Sequence, residues 1–411
     1  MSSRASRPSG RGAGSHLLLL GAAVLCAGPA CRHVKPPGPT TGACGLSSAV
    51  PAPSGEHCVG VTRMFVTDAG REDPFAPGVG TRRHLLLQIF YPAQVPSRPK
   101  PTPYFTEAEY DHLRGLIGDL PQQMPERLVL AVVTDAAPKP TAGGYPVLLF
   151  SHGAGSFTAR YADALAEVAS HGYVVVGVNH PYVAGVVTFP DGYTARVADP
   201  RLGKRNMDFE EALGKALPTT TADQGFVLAE LRRMGGAVPR WRDMFDLARV
   251  GTYGHSYGGV TAFQLCEQDP TPRACLNLDG FFGPHDRVDL PSGKPEALVF
   301  SQYWGGPRGD ALTDASMLTP VAWWNSVKGP LCFAVIGGTL HSSFDDLGMI
   351  VSVLGINSYF LGLGDIDPFV MHRDSTALWL SYFDALVKNG APGALRTGLG
   401  RNPSVTSWDC K

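Results

Sequence analysis

The sequence predicts an α/β protein: a mainly parallel eight-stranded sheet with helices on both faces. Three observations carry this. From about residue 60 onward, short apolar runs alternate with segments of helical period, the pattern of strands joined by crossover helices. The later apolar runs lack in–out alternation, as strands buried on both faces require. The helical segments run into glycines, which accept the left-handed backbone of a helix end.

Strands are expected at Val61–Thr67, His84–Tyr91, Pro146–Phe150, Val174–Val178, Arg249–Tyr253, Ala274–Leu278, Ala297–Ser301 and Leu331–Ile336. The first two form an antiparallel start. Helices are expected at Tyr161–Ser170, ending at Gly172, and at Thr221–Met234, ending at Gly235. Thr221 and Gln224 stand at capping-box spacing. Gly259–Cys266 follows the fifth strand as a helix, and Ser375–Asn389 carries Leu378, Tyr382, Phe383, Leu386 and Val387 on one face. Tyr104–Leu120 is amphipathic, and Leu347–Leu363 is rich in Ile, Val, Leu and Phe. Packing on the sheet is the first reading of both; a lid or a lipid-facing surface is the second.

The chain has 411 residues and a net charge of -1, which offers no electrostatic attraction to nucleic acid. Arg4, Arg7 and Arg11 precede the short apolar run Leu17–Ala27, as in an export signal. That run is too short for a permanent span. Gly28-Pro-Ala-Cys31 leaves two readings open: a lipoprotein signal with Cys31 lipidated, or plain secretion. Residues 1–31 are thus read as signal, 32–59 as a Pro/Gly-rich linker and 60–411 as one catalytic domain. Cys44 with Cys58 and Cys266 with Cys275 are candidate disulfides among eight cysteines, although spacing does not fix connectivity. The Cys and His spacings suggest no metal, and no cofactor is expected.

Gly254-His-Ser-Tyr-Gly258 fits G-x-S-x-G between an expected strand and an expected helix. This arrangement is the nucleophile elbow of the α/β-hydrolase fold. The serine takes a strained backbone so that its hydroxyl projects from the turn, and glycines two residues away relieve contact with the neighbouring strand and helix. Ser256 is therefore the candidate nucleophile. It needs a base. His341 ends Leu331-Cys-Phe-Ala-Val-Ile-Gly-Gly-Thr-Leu-His341, just past an apolar strand; His372 lies further on and His285 comes early. The acid that orients the base is expected at Asp279, tight against its strand, in preference to Asp310 or Asp314 in a polar loop. His341 and Asp279 complete the order Ser, Asp, His. Oxyanion donors are expected from the N–H of Tyr257 and of Ala154, in the loop Ser151-His-Gly-Ala-Gly-Ser156. His152 reads as packing under that loop.

Several stretches resemble the platelet-activating factor acetylhydrolases of the plasma and intracellular type II group. They are Leu149-Phe-Ser-His-Gly-Ala-Gly155, Ala169-Ser-His-Gly-Tyr-Val-Val175, Gly254-His-Ser-Tyr-Gly-Gly259, Leu278-Asp-Gly280, Leu340-His-Ser-Ser-Phe344 and Gly364-Asp-Ile-Asp367. The resemblance spans roughly 145–390; residues 92–145 match nothing in it. It implies an acid after the strand that follows the elbow, which supports Asp279. It also implies calcium-independent hydrolysis of short or oxidised sn-2 acyl chains on phospholipids.

The expected function is therefore a serine carboxylic-ester hydrolase working through Ser256, Asp279 and His341. A phospholipid or other small ester is its substrate, and contact with a lipid surface is a further expectation. A broad carboxylesterase or polyesterase is the alternative. A non-catalytic binding protein of the same fold would usually lack the serine or the histidine, and both are present.

Overall fold

The computed structural model describes residues 36–197, 207–280, 293–302, 331–356, 361–388 and 399–410. Its strands in chain order are β1 (Val59–Glu72), β2 (Arg82–Pro92), β3 (Thr102–Pro103), β4 (Val129–Leu130), β5 (Val133–Thr134), β6 (Tyr145–Ser151), β7 (Val174–Asn179), β8 (Val186–Thr188), β9 (Thr194–Arg196), β10 (Phe245–His255), β11 (Pro272–Leu278), β12 (Glu296–Ser301), β13 (Leu331–Ile336) and β14 (Val405–Cys410). The helices are α1 (Glu107–Leu116), α2 (Ala162–Ser170), α3 (Met207–Ala237), α4 (Tyr257–Gln268), α5 (Leu347–Leu354) and α6 (Pro368–Phe383).

All eight expected strands lie in one sheet, but that sheet has ten strands, in the order β14-β13-β12-β11-β10-β6-β7-β2-β1-β5. The expected count of eight is corrected by two edge strands. Short β5 pairs parallel with β1, and β14 pairs antiparallel with β13. Strands β6, β7 and β10 to β13 are mutually parallel, while β1 and β2 form the antiparallel start.

Every residue of β6 is buried. Val147 and Leu149 join the core under α3, while Leu148 and Phe150 join the core under α2 and α6. Both faces of the strand are thus apolar, which is why it reads as a continuous run. The chain leaves β6 for β7 on one side and returns to β10 on the other. This reversal opens a crevice at the carboxyl ends of β6 and β10, where open α/β sheets bind ligands.

The helices depart from expectation at their starts. The capping box expected at Thr221 is absent, because α3 begins at Met207 and runs through Pro218. Thr221 and Gln224 are buried side chains within it. The last helix begins at Pro368, capped by Asp367, which accepts from the N–H groups of Phe369 and Val370. In Tyr104–Leu120, α1 has a capping box formed by Thr106 and Glu109, and its Tyr110 and Leu113 are buried in the core.

The stretch read as a linker has neither helix nor strand over residues 36–58, yet it packs on the domain: Cys44, Val50 and Cys58 are buried. Cys44–Cys58 and Cys266–Cys275 are disulfides, and a third, Cys332–Cys410, joins β13 to β14. The signal segment and Cys31 lie outside the described residues.

The Cys332–Cys410 bond closes a sequence separation of 78 residues, so it removes much freedom from the unfolded chain. Replacing both cysteines by Ser should lower unfolding free energy by about 2–5 kcal/mol. Denaturant titration with and without reductant checks this; equal stability of variant and wild type contradicts it.

Candidate active site

The elbow forms where β10 runs into α4. Ser256 sits there with φ 56° and ψ -126°, a left-handed conformation that a non-glycine residue adopts only when its surroundings impose it. A Cβ on Gly258 would lie 2.0 Å from the Ser151 carbonyl oxygen, and one on Gly254 would lie 2.3 Å from the Gly258 backbone. Neither position tolerates a side chain. The glycine requirement thus comes from the adjacent strand β6 and from the helix itself.

Three side chains converge on this turn. His341 Nε2 is 2.9 Å from Ser256 Oγ, and His341 Nδ1 is 2.7 Å from Asp279 Oδ2. The second contact fixes the tautomer: Nδ1–H donates to the carboxylate, which leaves Nε2 to accept from the serine hydroxyl. Asp279 is 1% exposed and follows β11 directly. Its other oxygen accepts the Ser301 N–H at 2.6 Å, while its own N–H donates to Val299 O at 2.7 Å. The carboxylate is therefore held from both sides. The His341 side chain is 38% exposed, so solvent reaches the imidazole at the centre of the line.

The rival residues are placed elsewhere. His372 lies on α6, partly buried, with Nε2 2.9 Å from Asp163 Oδ2. His285, Asp310 and Asp314 lie outside the described residues. The His152 ring is buried; its Nδ1–H donates to Gly153 O at 2.8 Å, and its Nε2 accepts the His180 N–H at 3.2 Å. Burial, reinforced by His180, pulls its pKa down to about 3. It is a neutral brace under the loop.

Sequence reading did not find the polar groups that hold these loops. Arg83 on β2 is fully buried and bonds Asp73 at 2.8 Å and Asp223 at 2.6 Å. Asp223 accepts from His180 Nδ1 at 2.9 Å, and His180 Nε2 accepts from Ser151 Oγ at 2.8 Å. Gln224 then donates to Ser151 at 2.7 Å. Burial alone would raise the Asp223 pKa, but Arg83 and His180 hold it low. The chain ends at the last residue of β6, so it fixes the strand that leads into the Ala154 turn. The only sequence trace was Gln224, read as a cap.

A second cluster lies behind the His341 loop. Asp345 pairs with Arg160. Asp346 accepts from the Tyr104 hydroxyl at 2.6 Å and from the Asp163 N–H at 2.8 Å.

The family described as platelet-activating factor acetylhydrolase, isoform II, matches residues 44–387. The chain belongs to this family. Its members are ester hydrolases by name. The platelet-activating factor acetylhydrolase of Canis lupus familiaris is 24% identical over 364 residues, covering 79% of this chain and 74% of that protein. A probable 1-alkyl-2-acetylglycerophosphocholine esterase of Arthroderma benhamiae is 25% identical over 240 residues, covering 55% of each. Among solved structures, a ferulic acid esterase from Streptomyces cinnamoneus superposes with a TM-score of 0.64 at 25% identity, covering 82% of this chain and 93% of that one. The family match reaches upstream through 92–145, outside the motif-bearing stretches.

The cluster behind His341 should make stability depend on pH. Burial and then Asp163 push the Asp346 carboxyl up to about 8 from 3.8. Across that window the folded state holds a proton that the unfolded chain has lost, so stability falls as pH rises. Burial opposes charge on His372, yet Asp163 and Asp346 raise its pKa above 6.5. Its stabilisation is complete below 6.5 and is lost as pH rises through the folded value, in the same direction. Urea unfolding should show stability declining between about pH 4 and 8, and Asp346→Asn should flatten the decline. An unchanged slope in that variant contradicts the assignment.

Proposed function

We propose that this ester hydrolase removes a short acyl group from the sn-2 position of a phospholipid through an acyl-enzyme on Ser256. The observation that carries the reading is the line from Ser256 Oγ through His341 to Asp279, with contacts of 2.9 and 2.7 Å, inside a fold of this family. Ser256 Oγ attacks the ester carbonyl carbon while its proton passes to His341 Nε2. Asp279 holds the imidazole and stabilises the imidazolium. As the tetrahedral intermediate collapses, the carbon–oxygen bond to the alcohol breaks, and His341 returns the proton to that oxygen. Water then gives a proton to His341 and attacks the acyl-enzyme, releasing the acid and restoring Ser256.

Negative charge on the carbonyl oxygen needs N–H donors. The Gly153 N–H is engaged by Tyr161 Oη at 3.4 Å, and the Gly155 N–H by Val183 O at 2.9 Å. That leaves the Ala154 N–H as the donor of its turn. Tyr257, first residue of α4, supplies the second, and the helix N-terminus adds its dipole. Phe75, Val183, Ala216 and Leu217 cluster with Ala154 and Tyr257. This apolar wall beside the oxyanion donors supports a short acyl group.

Export is part of the same proposal. Six cysteines in three disulfides suit an oxidising compartment, and Arg4 to Cys31 has the layout of an export signal. The mass of the mature N-terminus distinguishes a lipidated Cys31 from plain secretion. Contact with a lipid surface belongs to the phospholipid reading.

Ser256→Ala should lower kcat on a short-chain nitrophenyl ester by about 10⁴-fold or more; activity near wild type would sink the assignment. The likeness to a ferulic acid esterase favours a second reading, a general carboxylesterase. Comparing an sn-2 acetyl phospholipid with a simple acetyl ester separates the two: the phospholipid should show the higher kcat/KM, and the reverse order supports the alternative. Phe75→Ala should raise the ratio of long-acyl to short-acyl kcat/KM by roughly 10-fold. An unchanged ratio removes Phe75 from the acyl wall.

A further inference from the structure

The x residue before the nucleophile, His255, is absorbed by none of the roles above. Its ring is 4% exposed, and both nitrogens are engaged. Nε2 lies 3.0 Å from the His341 carbonyl oxygen, and Nδ1 lies 2.8 Å from the Tyr161 hydroxyl. Tyr161 is also buried, and its oxygen receives the Gly153 N–H at 3.4 Å. The His255 ring packs against the His341 ring at 4.7 Å between centroids.

Donor and acceptor roles along this line are forced. A carbonyl only accepts, so His255 Nε2 carries the proton and donates to His341 O. Nδ1 of the neutral ring must then accept, so the Tyr161 O–H donates to it. The remaining capacity of the Tyr161 oxygen is as acceptor, which the Gly153 N–H uses. Neutrality is itself enforced: burial, then the neighbouring His341, holds the His255 pKa well below 6.5. The line therefore keeps one direction while His341 gains and loses its proton.

We propose that His255 and Tyr161 are positioning residues: they form a one-way hydrogen-bond line that sets the His341 loop in register with the turn carrying the oxyanion donor at Ala154. The two loops come from distant parts of the chain, one after β13 and one after β6. His255 precedes Ser256 and is rigidly placed at the end of β10, so it can hold His341 by its backbone, while Asp279 holds it by its ring. Tyr161 extends that hold to Gly153. The consequence is specific. Losing the line should loosen the transition-state geometry and leave ground-state binding almost alone.

The inference rests on the Ser256–His341 reading, and the test separates the two. Steady-state kinetics on a short-chain nitrophenyl ester compare wild type, Ser256→Ala, His255→Leu, Tyr161→Phe and the His255→Leu/Tyr161→Phe double variant of the full chain. His255→Leu should lower kcat on the order of 10 to 100-fold, with KM within about twofold. His255→Gln, which retains an N–H for the His341 carbonyl, should recover part of the loss. Tyr161→Phe removes one oxygen while keeping the ring packed on Phe150, so it should fold and should lower kcat by a smaller factor. Because the residues act in series, the double variant should cost no more than His255→Leu alone. Wild-type kcat in Tyr161→Phe and His255→Leu, or effects that multiply in the double variant, overturn the inference. If His255→Leu does not fold, wild-type kcat in Tyr161→Phe alone overturns it. Ser256→Ala in the same assay reports separately on the nucleophile.

Discussion

The structure depends on one strained residue. Ser256 is held at φ 56° between β10 and α4, and that conformation persists only because its neighbours leave no alternative. Gly254 stands opposite Ser151 in the β10–β6 register, and a Cβ on either elbow glycine would collide with the Ser151 backbone. Strand β10 and the strand leading to the Ala154 turn are thereby locked side by side. The Cys266–Cys275 bond ties the far end of α4 to β11. Asn277 on β11 accepts the Gly280 N–H at 2.7 Å, which shapes the turn carrying Asp279. The elbow's strain is thus balanced on each side by backbone that has no freedom to relax.

Two buried polar clusters extend this constraint. Under β6, Arg83 joins Asp73, Asp223, His180, Ser151 and Gln224. Behind His341, Asp346 and Asp345 join Tyr104, Asp163 and Arg160. Buried charge is costly when its partners shift, so each cluster tolerates little movement of the loop it supports. The Ser256–His341–Asp279 line spans the gap between them. His255 and Tyr161 cross the same gap by a second route, which is why the elbow's x position bears on the geometry of the whole site.

The fold and the family were legible because their signals are local. Apolar runs mark β6, β7 and β10 to β13, and the steric rule of the elbow needs only Gly254, Ser256 and Gly258. What escaped reading is long-range or polar. Strand β14 is half-exposed and carries Thr406, Ser407 and Asp409, so it has no apolar signature; its place is fixed by β13 and by Cys332–Cys410. The start of α3 was misread because Thr221 and Gln224 are buried inside the helix, where Gln224 bonds Ser151, and do not cap a helix end. The pairing of Arg83 with Asp223 joins residues 140 apart, a contact no spacing rule reveals. The Pro-rich residues before β1 looked detached because they lack period, yet Val50 and Cys44 supply buried surface.

The central claim is that Ser256 becomes acylated during turnover. Acid quenching the enzyme within its first turnovers of an isotope-labelled sn-2 acetyl phospholipid, followed by peptide mass mapping, tests this most directly. The account predicts one labelled acetyl group on the peptide containing Ser256, appearing before steady state and decaying when substrate is exhausted. A label on another residue, or product release with no covalent species at any quench time, would contradict it.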